Sequence, residues 1–179
     1  MTNQLSSLFS FSTQQPDEPL RQETDRYRRR IQKLPRRTQQ VFLLSRLDQM
    51  TYAGIAQLLD VKVDAVERCM VLLLEHCSHE PTDLQAADRI NLQAHRWYVH
   101  LQSPQATASQ RIEFRHWLDA DANHLRAFQE TERLWCCLEA PAAIIGVNGW
   151  HRRKRRIYLG WLLLTAFLCS VLVTAEAFT

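Results

Sequence analysis

The sequence predicts an all-α chain of two small helical units followed by one helix suited to cross a membrane. Three observations predict it. Apolar residues recur every three or four positions from about Thr24 to Leu138, each run tracing one stripe of a 3.6-residue helix. Capping and turn residues, among them Thr51, Asp60, Ser103-Pro104 and Thr107, cut these runs into short helices. Residues 157–175 then carry no charge over 19 positions, about 28 Å as a helix and close to the roughly 30 Å hydrocarbon core.

Charge is placed unevenly along the 179 residues, although the formal net charge is only +3. Basic residues concentrate near 26–37 and at 152–156, whereas residues 81–150 hold six basic against eight acidic side chains. Five cysteines stand without a C-x-x-C pair, which argues against a disulfide framework. Cys69 and the run His76-Cys77-Ser78-His79 do not make a metal site, because neighbouring helical positions point to different faces while zinc needs four converging ligands. No Gly-rich phosphate loop or Ser/Cys-His arrangement is recognisable, so no catalytic residue, metal or cofactor is expected and the chain does not read as an enzyme.

In chain order, residues 1–20 are rich in Ser, Gln and Thr and lack a basic n-region with an apolar core. They read as a flexible leader, not a secretory signal. Residues 21–79 form the first unit. A basic helix from Thr24 carries Arg26, Arg28, Arg29, Arg30, Lys33, Arg36 and Arg37 around Leu34-Pro35. A second helix, Arg36 to Leu47, turns Val41, Leu44 and Leu47 inward. Thr51 caps a short third helix whose stripe is Tyr52, Ile55, Ala56 and Leu59. After the turn Asp60-Val61-Lys62, a fourth helix from Val63 to Cys77 places Val66, Met70, Leu73 and Cys77 on one face. Helix, tight turn, helix is a helix-turn-helix, whose second member enters the DNA major groove by its N-terminal end. Val71 and Leu72 point away from the core face and suggest a protein contact.

Residues 80–140 form a second unit of three helices with one indole each. Leu84, Ala87, Ile90, Ala94, Trp97 and Leu101 stripe the first, with Thr82 as its cap. Thr107-x-x-Gln110 is a capping box opening the second, which buries Phe114, Trp117 and Leu118. The third follows Asp121 and sets Leu125, Phe128, Trp135 and Leu138 on one side. Trp97, Phe114, Trp117, Phe128 and Trp135 are the expected core of this bundle. Residues 141–156 read as a linker ending in the basic cluster Arg152, Arg153, Lys154, Arg155 and Arg156. That cluster keeps the membrane interface on the cytoplasmic side of the helix 157–175 and leaves 176–179 as a periplasmic tail.

The string LPRRTQQVFLLSRLDQMTYAGIAQLLDVKVDAVERCM, and about Asp25 to Cys77 as a whole, resembles region 4 of sigma-70-family factors of the extracytoplasmic-function type. In that family the region recognises the −35 promoter element. The resemblance implies phosphate or base contacts for Arg36, Arg37, Thr51, Lys62, Asp64, Glu67 and Arg68. The chain departs from the usual pattern at Gly54, Asp60 and Lys62, where Glu, Gly and Ser are common. About twenty leader residues are too few to hold the family's region 2. The block RWYVHLQS…ATASQRIEFRHWLDADANHLRAFQETERLW resembles the cytoplasmic N-terminal domain of FecR-type anti-sigma regulators, over about Leu84 to Glu139. That resemblance implies a sigma factor of the extracytoplasmic-function group, or the chain's own helix-turn-helix, as partner. It further implies a single-pass bacterial inner-membrane protein with a cytoplasmic N-terminus, released by an intramembrane protease.

The expected fold class is therefore all-α: a helix-turn-helix domain, a three-helix bundle and one transmembrane helix. Two functions follow. One is a membrane-tethered sigma/anti-sigma hybrid that regulates transcription initiation by holding a sigma region 4. The other is a membrane-anchored helix-turn-helix transcription factor with no anti-sigma role, binding promoter DNA.

Overall fold

The computed structural model describes residues 18–78 and 85–152, with residues 85–88 described by their backbone alone. All regular structure among them is helical: α1 Glu18–Lys33, α2 Arg36–Arg46, α3 Tyr52–Leu59, α4 Val63–Ser78, α5 Gln85–Leu101, α6 Ala108–Ala120, α7 Ala122–Cys137 and α8 Glu139–Gly146, then a 3-10 turn at Trp150–Arg152. None of these helices is long and apolar enough to cross a membrane. The expected membrane helix at 157–175 lies outside the described residues, as do Thr82, Leu84 and residues 153–156.

Helix α1 starts earlier than the basic run suggests, within the expected leader. Pro19 falls in its first turn, where a missing N–H breaks no helical hydrogen bond. At its other end Pro35 forces a break, and the Gln39 side chain donates to the carbonyls of Leu34 (2.8 Å) and Gln32 (3.2 Å), satisfying acceptors the helix leaves open. Thr51 caps α3 as expected, accepting from the Gly54 amide at 3.2 Å. A Cβ at Gly54 would meet Thr51 Oγ1 at 3.4 Å, so the glycine is not required by space.

Asp60 closes α3 in the left-handed region, φ 54° and ψ 57°, and the Val61 amide returns to the Ala56 carbonyl at 3.0 Å. That conformation costs an L-residue more than glycine. Asp60→Gly is expected to raise stability by up to about 1 kcal/mol, read as a higher midpoint in urea unfolding. A lower midpoint would mean that the Asp60 side chain compensates for its backbone.

Helix α4 is the centre of the structure. Helices α1, α2 and α3 pack on it from one side, α5 and α7 from the other. Val66, Met70, Leu73 and Cys77 are buried as the spacing predicts, and Leu74 is buried beside them at 0% exposure. Adjacent buried leucines mean a helix covered on two faces. Burial also pushes the Cys77 thiol up to about 12, although Arg30 lies near. Val71 is half-buried against the core while Leu72 stands 42% exposed.

The two sequence units share one hydrophobic core. Val99 of α5, Leu134 and Trp135 of α7, Leu138 and Ala142 of α8 belong to the same cluster as Phe42, Ile55 and Met70. Aromatic rings make the junction continuous. Trp97 and Trp117 meet Phe114, Phe114 meets Phe128 at 4.8 Å, and Tyr98 lies 6.0 Å from both Phe128 and Trp135. Trp135 then sets an edge against Phe42 of α2 at 5.9 Å. Five expected core aromatics therefore divide: Trp135 is buried, while Trp97, Phe114, Trp117 and Phe128 are half-buried links in the chain.

Several local expectations change with this packing. Thr107 and Gln110 form the reciprocal capping box, at 2.8 and 3.3 Å, but α6 buries no residue fully. On α7 Ala127, Thr131, Leu134 and Trp135 are buried, with Leu138 buried just past its end, whereas the expected Leu125 is 45% exposed. On α5, Ala94 is buried as expected, but His95 and Val99 are buried beside it in place of Trp97 and Leu101, because α5 turns its face to α4 and α7. Residues read as linker from 141 onward are helical to Gly146, and Pro141, Ala142 and Gly146 are buried.

Candidate nucleic-acid interface

The recognition face begins at the turn between α3 and α4. Lys62, Asp64 and Arg68 are exposed there, at the N-terminal end of α4 where a major-groove helix meets base edges. The remaining expected contacts already have neighbours within the chain. Glu67 is turned sideways, its Oε2 lying 3.5 Å from Nδ1 of His100 on α5. Arg37 donates to the Leu59 carbonyl at 3.1 Å, tying the start of α2 to the end of α3. Thr51 lines a cleft together with Gln102, Trp135 and Glu139. The Arg36 guanidinium lies over the Trp150 ring, 5.3 Å from its centroid.

A groove of about 770 Å³ runs between α4 and α5. Val71, Leu72, Leu92 and Val99 supply its apolar wall, with Asp64, Glu67 and Glu75 facing Arg68, Arg96 and His100 along the rim. Both acid and base line it, so it has no single charge sign that would attract phosphate. Tyr52 sits behind the seam; burial, with Tyr98 and Glu67 nearby, pushes its phenol well above the ordinary range and keeps it neutral.

Two contacts that the spacing does not reveal fasten α2 to the C-terminal helices. Arg46 stacks on Trp135, 5.0 Å from the centroid, and pairs with Glu139 at 2.8 Å. Arg152, the first residue of the basic cluster, grips Asp48 through Nε at 3.0 and 3.2 Å and through a second guanidinium nitrogen. That hydrogen bonding holds the Asp48 carboxyl below its usual range. His100, Arg46, Glu139 and Trp150 lie far in sequence from the helices they touch, so no local pattern marks them.

Helices α3 and α4, joined by the left-handed turn at Asp60, form a helix-turn-helix, and the family match to it suggests a DNA-binding or sigma-related regulatory role. Residues 24–77 match the model of sigma-70 region 4. That match supports the sigma-70 reading of the helix-turn-helix part and implies contact with DNA or the RNA polymerase machinery. Residues 93–134, from α5 to most of α7, match a domain of unknown function (DUF4880). No curated protein and no solved structure matches the chain.

Proposed function

We propose that the chain is a membrane-tethered sigma/anti-sigma hybrid in which the bundle α5–α7 holds the chain's own region-4-like helix-turn-helix and restrains it from promoter DNA. One observation carries this reading: α5 lies along α4 and occupies Glu67 on the recognition helix. Two packed helices, each about 10 Å across, form a slab near 20 Å wide. The major groove is about 12 Å wide. With α5 in place, only the N-terminal end of α4, with Lys62, Asp64 and Arg68, is left open to base edges. The apolar run 157–175 supplies the tether, with the basic cluster on the cytoplasmic side.

The seam is built to open as well as to close. Glu67 Oε1 and His100 Nε2 are buried without a hydrogen-bond partner, each at a desolvation cost of about 1–3 kcal/mol. Opening returns both to water. A separate sigma factor of the extracytoplasmic-function group is the other candidate occupant of the bundle, and in that case α5 would have to leave α4 first.

The test is duplex binding by the full chain in nanodiscs. Val99→Ala with His100→Ala removes about 2 kcal/mol of packing from the seam, favouring the uncovered form by about thirty-fold. Fluorescence anisotropy is expected to show tighter binding by that factor. Equal affinity in a variant whose circular dichroism and melting remain cooperative would refute occlusion in cis. It would favour the second reading, an anchored transcription factor whose bundle is a spacer.

A further inference from the structure

We propose that the turn Trp150–Arg152 is an autoinhibitory latch that holds Arg36 away from DNA phosphate; this rests on the proposed restraint of the helix-turn-helix. The turn touches α2 at three places along its outer side. Trp150 takes the Arg36 guanidinium on its ring. Gln40 donates to the His151 carbonyl at 2.7 Å. Arg152 grips Asp48, just beyond the end of α2. Thr38, Val41, Phe42, Leu43 and Leu44 carry the core packing of α2. The latch contacts come from Arg36, Gln40 and Asp48, none of them in that buried row.

The latch joins α8 through a glycine turn. Helix α8 stays in the core through Ala142, and at Gly146 it approaches so closely that a Cβ would lie 2.2 Å from Leu47 Cδ1. The chain then turns at Gly149, φ 58°, where a Cβ would meet nothing within 4 Å. Beyond that joint Trp150 reaches back to α8, its Nε1 donating to the Ile145 carbonyl at 3.3 Å. His151 is sealed beneath the turn at 1% exposure, yet neither ring nitrogen has a well-formed hydrogen bond, Nε2 lying 3.3 Å from Asp48 Oδ2. Its desolvation offsets part of what the exposed Arg152 contact contributes. The turn is thus a clasp on α2 made by the Arg36, Gln40 and Asp48 contacts.

Arg36 belongs to the dense basic run 26–37, and stacking on Trp150 competes with phosphate for the same guanidinium. Releasing the turn frees the Arg36 guanidinium from the Trp150 ring for phosphate. Each phosphate contact adds about 0.9 to the slope of log affinity against log salt. That slope identifies the gain as a phosphate contact; a merely loosened fold does not produce it.

The experiment measures anisotropy of a fluorescent 30-base-pair duplex with the full chain in nanodiscs, from low to moderate salt. Trp150→Ala and Asp48→Asn are each expected to tighten binding and to steepen the salt slope by about one. Adding Arg36→Ala to either variant is expected to return the slope to that of the parent chain. Trp150→Leu, which keeps an apolar cover over His151, is expected to behave as Trp150→Ala does, separating loss of the ring from loss of packing. The latch is overturned if the slope stays unchanged in the turn variants, or if the gain survives Arg36→Ala. An unchanged slope together with tighter binding by the Val99/His100 variant overturns the latch alone and leaves the restraint by α5 standing. Unchanged binding in every variant overturns both.

Discussion

Trp135→Ala is expected to destabilise the protein by about 3–5 kcal/mol and to melt α2 and α7 together, in one transition at lower temperature. The indole is 9% exposed, sets its edge on Phe42 and lies beneath the Arg46 guanidinium. Removing it opens a cavity where the two sequence units meet and leaves Arg46 without its stacking surface. Tyr98, 6.0 Å from the same ring, loses a neighbour too. Trp117→Ala deletes the same side chain from a half-buried site on α6, where a His124 ring is stacked at 4.5 Å. Its expected cost is about 1–2 kcal/mol, smaller because less area leaves water. Equal losses for the two tryptophans, measured by urea unfolding with circular dichroism, would show that the seam contributes no more than the bundle's edge.

Stability is expected to fall by about 3 kcal/mol as pH drops from 6.5 to 4, and His95 is the residue responsible. Its ring is 3% exposed, and burial lowers its pKa to about 4. The folded chain thus keeps a neutral imidazole while the unfolded chain takes up a proton below about 6.5. More protons on the unfolded state mean stability lost as pH falls, complete above the unfolded value and exhausted near pH 4. Asp48 acts in another window. Its lowered pKa protects the fold above the ordinary carboxylate value of 3.8 and fails only in stronger acid. Replacing His95 with Gln is expected to flatten the dependence between pH 6.5 and 4. An equally steep fall in that variant, followed by urea unfolding at pH 7, 5.5 and 4.5, would assign the acid sensitivity elsewhere.

These two residues illustrate how the chain reads. Trp135 announces itself in sequence, since a tryptophan on an amphipathic stripe has few places to go except the core. His95 does not. It stands beside Ala94 on α5, and its burial follows from α5 lying between α4 and α7, a placement no helical wheel contains.

Local chemistry determined the elements themselves. The Thr51 cap, the left-handed Asp60, the Thr107–Gln110 box and the Val66–Met70–Leu73–Cys77 stripe are interactions spanning a few residues, and each is legible in order along the chain. The sigma-70 region 4 likeness rests on the same short-range pattern. Tertiary structure decided which faces were taken. Leu74 is buried and Leu125 exposed, α8 continues past the expected start of the linker, and Arg152 turns to Asp48. Above all, Glu67, Thr51 and Arg36 look like DNA contacts in isolation and acquire His100, the Trp135 cleft and Trp150 only when helices over thirty residues away fold back on them. Periodicity states which residues seek cover. It carries no information about which distant helix supplies it, because that choice is settled by packing among whole faces, with a shared core as the lowest-energy outcome.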